Sequence, residues 1–199
     1  AKKMEGPFGE WAGYYASGAR EEPFLDVKAV YFRNNPIVIG FPPQVPPDEQ
    51  QRFRAIQRSA LLQQELGKAS VPGVTQTWCH EVGGARMLVA VAIKQLYPGH
   101  ARQVGHVAAM CHVGAYAGRY IVVVDDDIDV TNLEDLMWAV CTRSDPATSI
   151  DIIPRCWSTP LDPRISPQEK AAGKMMNSRA VIDATRPWEW RNEFPVVNR

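Results

Sequence analysis

Hydrophobic and polar residues change rhythm three times along this chain. In the first stretch the apolar residues form short dense runs, "FLDVKAVYFR" and "PIVIGF", split by Asn34, Asn35 and Pro36. Runs of that length, rich in Val, Ile, Tyr and Phe and broken by turn residues, predict two strands joined as a hairpin. Two or three strands bury too little apolar surface to stand alone. Residues 1–43 are therefore expected to be the end of a β domain whose earlier strands lie elsewhere.

The second rhythm begins after "PPQVPPDEQ", where four prolines end the strand region. Asp48 can cap a helix with Gln51 three residues on. Apolar residues then fall at Phe53, Ile56, Ala60 and Leu61 as far as Leu66, with Gly67 as the stop signal. The spacing predicts a linker helix within residues 44–67, of about five turns.

From residue 68 to 199 strands and helices alternate. "ARMLVAVAIK" and "RYIVVVDDDID" read as strands buried on both faces. Between them, "GHARQVGHVAAMC" places Val104, Val107, Ala108 and Cys111 on one helical stripe. Thr131 and Glu134 form a candidate capping box for a helix facing inward through Leu133, Leu136, Met137 and Val140. "SIDIIP" and "SRAVIDAT" supply two more strands, so the expectation is an α/β domain with a mostly parallel sheet. The tail from Pro187 holds two of the six tryptophans and no clear period, as a segment packed on a neighbour would.

Composition narrows the function. Lys and Arg number 22, equal to Asp and Glu, so the basic excess of a nucleic-acid-binding surface is missing. No apolar run approaches the roughly 20 residues that span a bilayer, and "AKKMEGPFGE" lacks the apolar core of a signal peptide. These features predict a cytoplasmic protein. Cys79, Cys111, Cys141 and Cys156 form no C-x-x-C pair and read as buried free thiols.

Four places carry candidate chemistry. "VDDDID" puts Asp125, Asp126 and Asp127 at a strand end, where Mg²⁺ could bind, but alternation leaves at most two on one face. Acids leading into a helix are also favoured by its dipole. His100, His106 and His112 are six apart, about 240° per step on a helix, and cannot converge. His80, in "TWCHEVGG", could face a pocket beside Trp78 and Glu81, but the expectation is a satisfied surface His, as loop residues usually are. Lys94 ends a buried strand at the edge where a phosphate could be met, or simply leaves the core for water. In "EGPFGE", the Gly-Pro-Phe-Gly corner can bring Glu5 and Glu10 together. Two carboxylates held close resist double ionisation, leaving a proton donor beside a charged partner.

The stretches "EGPFGEWAGYY", "LVAVAIKQLYPGHARQV", "YIVVVDDDIDVTNLEDLMWAVCTRSDPATSI" and "VIDATRPW", in that order, resemble the UbiD-like decarboxylases, which use prenylated FMN. The first looks like that family's E-G-P-[FY]-G-[ED] motif, and the resemblance runs over almost the whole chain. It implies that residues 1–43 end a split β-barrel that binds prenylated FMN. Residues 44–67 would be the linker helix, and 68–199 an α/β domain that oligomerises as a dimer or dimer-based hexamer. It also implies that Glu10 cycles a proton with the substrate carbon while Glu5 supports it beside an arginine. Lys94 would contact the cofactor phosphate. The family's flavin barrel, that arginine, the Asn, His and Glu ligands of Mn²⁺ and any K⁺ site are not found ahead of Glu5. The expectation is the C-terminal part of a reversible carboxy-lyase for an aromatic, cinnamic-type or heteroaromatic acid, inactive by itself. Two competing readings are an inactive oligomerisation module and a Mg²⁺-dependent phosphotransferase built on Asp125 to Asp127.

Overall fold

The computed structural model describes residues 1–194. It opens with β1 (Lys2–Glu5) and β2 (Arg20–Pro23), paired antiparallel with Glu5 opposite Arg20. The runs predicted as a hairpin, "FLDVKAVYFR" and "PIVIGF", form no strand. Leu25 and Tyr31 are 91% and 94% exposed, and Val38 is 85% exposed. Strand preference measures fit to a half-buried pleated surface, and these side chains meet no such surface among the described residues. The chain then returns to the first turn, where Pro43 lies against Gly9 and Val45 against Gly13.

Helix α1 (Glu49–Lys68) starts as expected, with Asp48 Oδ1 accepting from the Gln51 amide at 2.8 Å. Its buried face differs from the predicted one. Ala55, Ser59, Leu62 and Leu66 face inward, while Phe53, Ile56 and Leu61 are exposed. Ser59 explains the rotation. Its hydroxyl accepts from the Cys79 amide at 2.9 Å, and its carbonyl accepts from Thr77 Oγ1 at 2.8 Å. A satisfied polar contact thus decides which stripe meets the sheet. Gly67 does not end the helix, which runs on to Lys68; the chain turns away at Ser70, φ 57°.

The core is a five-stranded sheet of β3 (Val74–Cys79), β4 (Leu88–Ile93), β5 (Tyr120–Asp125), β6 (Ile150–Trp157) and β7 (Met176–Ala184). Its order is β3-β4-β5-β7-β6. The pairs β4–β5 and β5–β7 are parallel, whereas β3–β4 and β6–β7 are antiparallel. The sheet is mixed, not mostly parallel. Parallel neighbours need a crossover of about a dozen residues or more. The link from β3 to β4 is a single 3₁₀ turn, Glu81–Gly83, with its flanks. The link from β6 to β7 folds back at one sheet end, where the Ser158 amide donates to the Met175 carbonyl at 2.9 Å.

Helices α2 (His100–Met110) and α3 (His112–Ala115) precede β5, α4 (Leu133–Arg143) follows it, and α5 (Pro167–Ala171) precedes β7. Val104 and Ala108 of α2 are buried, Val107 is half-buried, and Cys111 lies just past the helix end. The cap of α4 is Asn132, which accepts from the Glu134 amide at 3.0 Å. Thr131 stands one residue before the cap position and does not cap; its amide and hydroxyl donate to Asp129 Oδ1 at 2.9 and 2.8 Å. Cys79 and Cys156 are buried, but Cys111 is half-buried and Cys141 exposed, so the expectation of four buried thiols fails for the last two. Residues 195–199 of the tail lie outside the described residues; Trp188–Trp190 form a 3₁₀ turn.

Candidate functional site

The acid turn is built by backbone geometry first. Gly6 stands at φ 76°, a left-handed conformation that disfavours side chains, and the Gly6–Pro7 peptide is cis. Beyond Glu10 the chain closes on itself. The Glu10 amide donates to the Tyr14 carbonyl at 3.0 Å and the Gly13 amide to the Glu10 carbonyl at 2.8 Å. Glu5 and Glu10 line the same cavity of about 70 Å³, together with Phe8, Arg20 and Leu161. Arg20, set opposite Glu5 across the strand pair, is a residue that sequence reasoning missed. Its only signal was the match of "KKME" with "REEP" as pairing partners. Its guanidinium is ion-paired with Glu22.

A second, small core docks this turn on the sheet domain. Trp11, Ala12 and Ala117 are buried together, with Met87, Tyr116 and Leu161 packed against them. Gly84 is required here: it stands at φ 63°, and a Cβ would lie 2.4 Å from the Trp11 ring. Gln51 of α1, fully buried, reaches the Trp11 carbonyl with Nε2 at 3.4 Å. Arg58 donates from Nε to the Ala85 carbonyl at 2.8 Å and from an η nitrogen to the Val113 carbonyl at 2.6 Å. Next to Ala85, the Arg86 guanidinium lies 4.3 Å from the Trp11 ring centre and 5.3 Å from that of Tyr116. Burial, with Arg58 and Arg54 nearby, pushes its pKa down to about 10, against the pull of Tyr116 and Glu10.

Beside the same helix end opens a cleft of about 520 Å³, lined by Asp48, Arg52, His80, Glu81, Val82, Thr131 and Leu133 among others. Arg52 pairs with Glu81 at 2.6 Å, and Glu81 also accepts from Trp78 Nε1 at 3.1 Å. His80 corrects the surface expectation. It is only 3% exposed, and its Nε2 is buried without a partner. Closure of the loop between β3 and β4 causes this, since the His80 carbonyl accepts from both the Gly83 and Ala85 amides.

Burial lowers the His80 pKa from its ordinary 6.5, opposed by Glu81 and the Val130 backbone. Below that ordinary value the unfolded chain takes up a proton that the folded chain resists, so stability should fall as pH drops through about 6.5. His100, buried against Pro72, acts in the same sense. Denaturant unfolding at pH 7.5 and 5.5 should therefore show a smaller acid loss in His80→Leu than in the parent. Equal losses would remove the imidazole from this role.

Lys94 is exposed and lies at the other end of β4. Its amide donates to the Gly73 carbonyl at the start of β3, whereas the acid turn packs beyond Leu88. Six strand residues, about 20 Å, separate these ends. The structure does not bring Lys94 together with Glu5 and Glu10.

"VDDDID" is an ion-pair cluster. Asp125, 3% exposed, accepts from Gln95 at 2.7 Å, Arg143 at 3.1 Å and the Arg186 amide at 2.7 Å. Asp127 takes both η nitrogens of Arg143, at 2.9 and 2.8 Å. Desolvation of Arg143 is outweighed by Asp127 and Asp125, which raise its pKa. Among the described residues no group of three or more His, Cys, Asp or Glu could hold a metal ion. The helices among them are also too short or too polar to cross a membrane.

The acid turn is thus docked on a mixed α/β sheet, with Glu5, Glu10 and Arg20 lining one cavity. Comparison with known proteins gives the family. Residues 52–184 match the 3-octaprenyl-4-hydroxybenzoate carboxy-lyase C-terminal domain, and residues 1–46 match the Rift-related domain of the same enzymes. The chain belongs to this UbiD family of carboxy-lyases. A phenolic acid decarboxylase of Bacillus subtilis is 33% identical over 189 residues, covering 94% of this chain and 37% of the relative. The UbiD-class enzyme HmfF from Pelotomaculum thermopropionicum, solved with FMN, superposes with a TM-score of 0.81 at 27% identity, over 100% of this chain and 42% of that one. Vanillic acid decarboxylase of Sedimentibacter hydroxybenzoicus in open form gives 0.77 at 31% identity, over 94% and 38%. The chain thus spans well under half the length of these relatives.

Proposed function

We propose that this chain forms the proton-transfer end of a non-oxidative decarboxylase for aromatic or α,β-unsaturated acids, working with prenylated FMN. The observation that carries this reading is the convergence of Glu5 and Glu10 on one cavity with Arg20 opposite Glu5.

That cavity, about 70 Å³, holds no tricyclic ring. The residues therefore fit one edge of such a cofactor, where carboxylates can pass a proton, and the rest would be held outside this chain. Mn²⁺ and K⁺ enter the proposal on the same footing. When bound, prenylated FMN supplies the electron sink that lets CO₂ leave. Glu10 would deliver a proton to the carbon that bore the carboxylate, so that R–CO₂⁻ and the Glu10 proton become R–H and CO₂, leaving Glu10 ionised until water returns a proton to it. Glu5 holds the opposite wall of the cavity and keeps the second carboxylate at the donor.

In the intact enzyme loaded with prenylated FMN, phenolic, cinnamic-type and heteroaromatic acids supplied in D₂O should release CO₂ and gain deuterium at the vacated carbon. Full cofactor occupancy with no CO₂ from any of these acids would overturn the reading. Lys94→Ala, tested alongside, should lower flavin retention if its ammonium meets the cofactor phosphate. Unchanged retention would remove Lys94 alone.

A further inference from the structure

Arg86 is a cation without an ordinary counter-ion. It forms no salt bridge among the described residues. Its Nε is buried with no partner among the described residues, and one η nitrogen makes a long 3.4 Å bond to the Gly84 carbonyl. Its neighbours Arg58 and Arg54 are like charges, and the ring it lies over, Trp11, is the residue that follows the Glu10 carboxylate. A partly desolvated guanidinium beside two others is costly unless an anion balances it.

The backbone on both sides of Arg86 is held by hydrogen bonds. Ala85 is bonded by Arg58 at 2.8 Å, and the Met87 amide donates to Gly83 at 2.9 Å. The guanidinium carbon lies over the Trp11 and Tyr116 rings, and Trp11 is the residue after Glu10. A cation over an aromatic face is fixed in orientation as well as distance.

We propose that Arg86 is a positioning residue for Glu10: stacked on Trp11, it sets where the Glu10 carboxylate points, from the sheet side of the acid turn. This inference rests on the decarboxylase reading above. It assigns to the sheet domain a cation that acts on the acid turn, separate from Arg20 on the strand side. A substitution of Arg86 should therefore disturb the chemical step while leaving substrate capture alone.

The test uses the intact enzyme with prenylated FMN, in the variants Arg86→Met and Arg86→Lys. Arg86→Met keeps the aliphatic stem and removes charge and plane. It should lower kcat about 10²-fold, the cost typical of an acid misplaced by about an ångström, with KM essentially unchanged. Arg86→Lys restores charge without the plane and should recover part of kcat. Amide exchange at Glu10 and Gly13 should quicken in Arg86→Met at unchanged Tm. A wild-type kcat in Arg86→Met would overturn the proposal. So would equal losses in both variants that track a fall in Tm, the pattern of a packing contact only. If the parent itself fails to decarboxylate, the functional reading falls, and amide exchange alone then decides whether Arg86 orders the acid turn.

Discussion

Replacing Glu10 with Gln in the intact, cofactor-loaded enzyme should lower kcat by about 10²–10⁴-fold, the range attributed to a positioned general acid. The amide keeps the size and hydrogen-bonding outline of the carboxyl group but carries no transferable proton. Flavin absorbance should be retained, because the amide keeps the size of the carboxyl group it replaces. Solvent deuterium gives an independent readout. The parent should exchange the ring hydrogen of the decarboxylated product with D₂O, and Glu10→Gln should not. Glu5→Gln should reduce kcat less, since its role is to hold the site and not to deliver the proton. A Glu10→Gln enzyme with parental turnover and exchange would end the assignment of the acid pair, whatever the fate of Lys94 or Arg86.

The largest stability effect should come from Asp125→Ala. That carboxylate joins Gln95 after β4, Arg143 at the end of α4 and Arg186 after β7. Arg143 has a fully buried side chain, so removing Asp125 leaves a buried cation sharing Asp127 alone. Breaking one partner of a buried pair typically costs about 3–5 kcal/mol. For a chain of this size each kcal/mol shifts Tm by about 2–4 °C, so a fall of about 6–20 °C is expected. Asp126→Ala, at an exposed position, should stay within about 0.5 kcal/mol. Added Mg²⁺ should raise the Tm of neither protein. A Mg²⁺-dependent rise lost in Asp125→Ala would instead favour the phosphotransferase reading.

Local signals in the residue order translate directly into structure. The buried strands Leu88–Ile93 and Tyr120–Asp125 are legible because a short, continuous run of Val, Ile and Ala fits a strand covered on both faces. The α1 start at Asp48 is readable because a cap is a local bond between residues three apart. Errors arise wherever a partner distant in sequence decides the outcome. Residues 24–41 have strand composition, yet pairing is a property of two segments and not of one. Ser59 turns α1 away from its most apolar stripe by bonding to Thr77 and Cys79. His80 has the sequence setting of a loop residue and is buried once the Glu81–Gly83 turn closes over it.

The acid pair divides the same way. Two glutamates around a Gly-Pro-Phe-Gly corner, and their resemblance to a family motif, follow from residue order alone, because a bend is encoded by the residues that make it. Order alone also carries the family, the alternation of strands and helices, and the charge balance. Only the folded chain decides that Glu5 faces Arg20, that Trp11 locks into Gly84 beneath Arg86, and that Lys94 lies a strand's length away. The physical reason is range: caps, bends and periodicity are set within a few residues, whereas charge neighbours and cavities are set by which distant segments pack together.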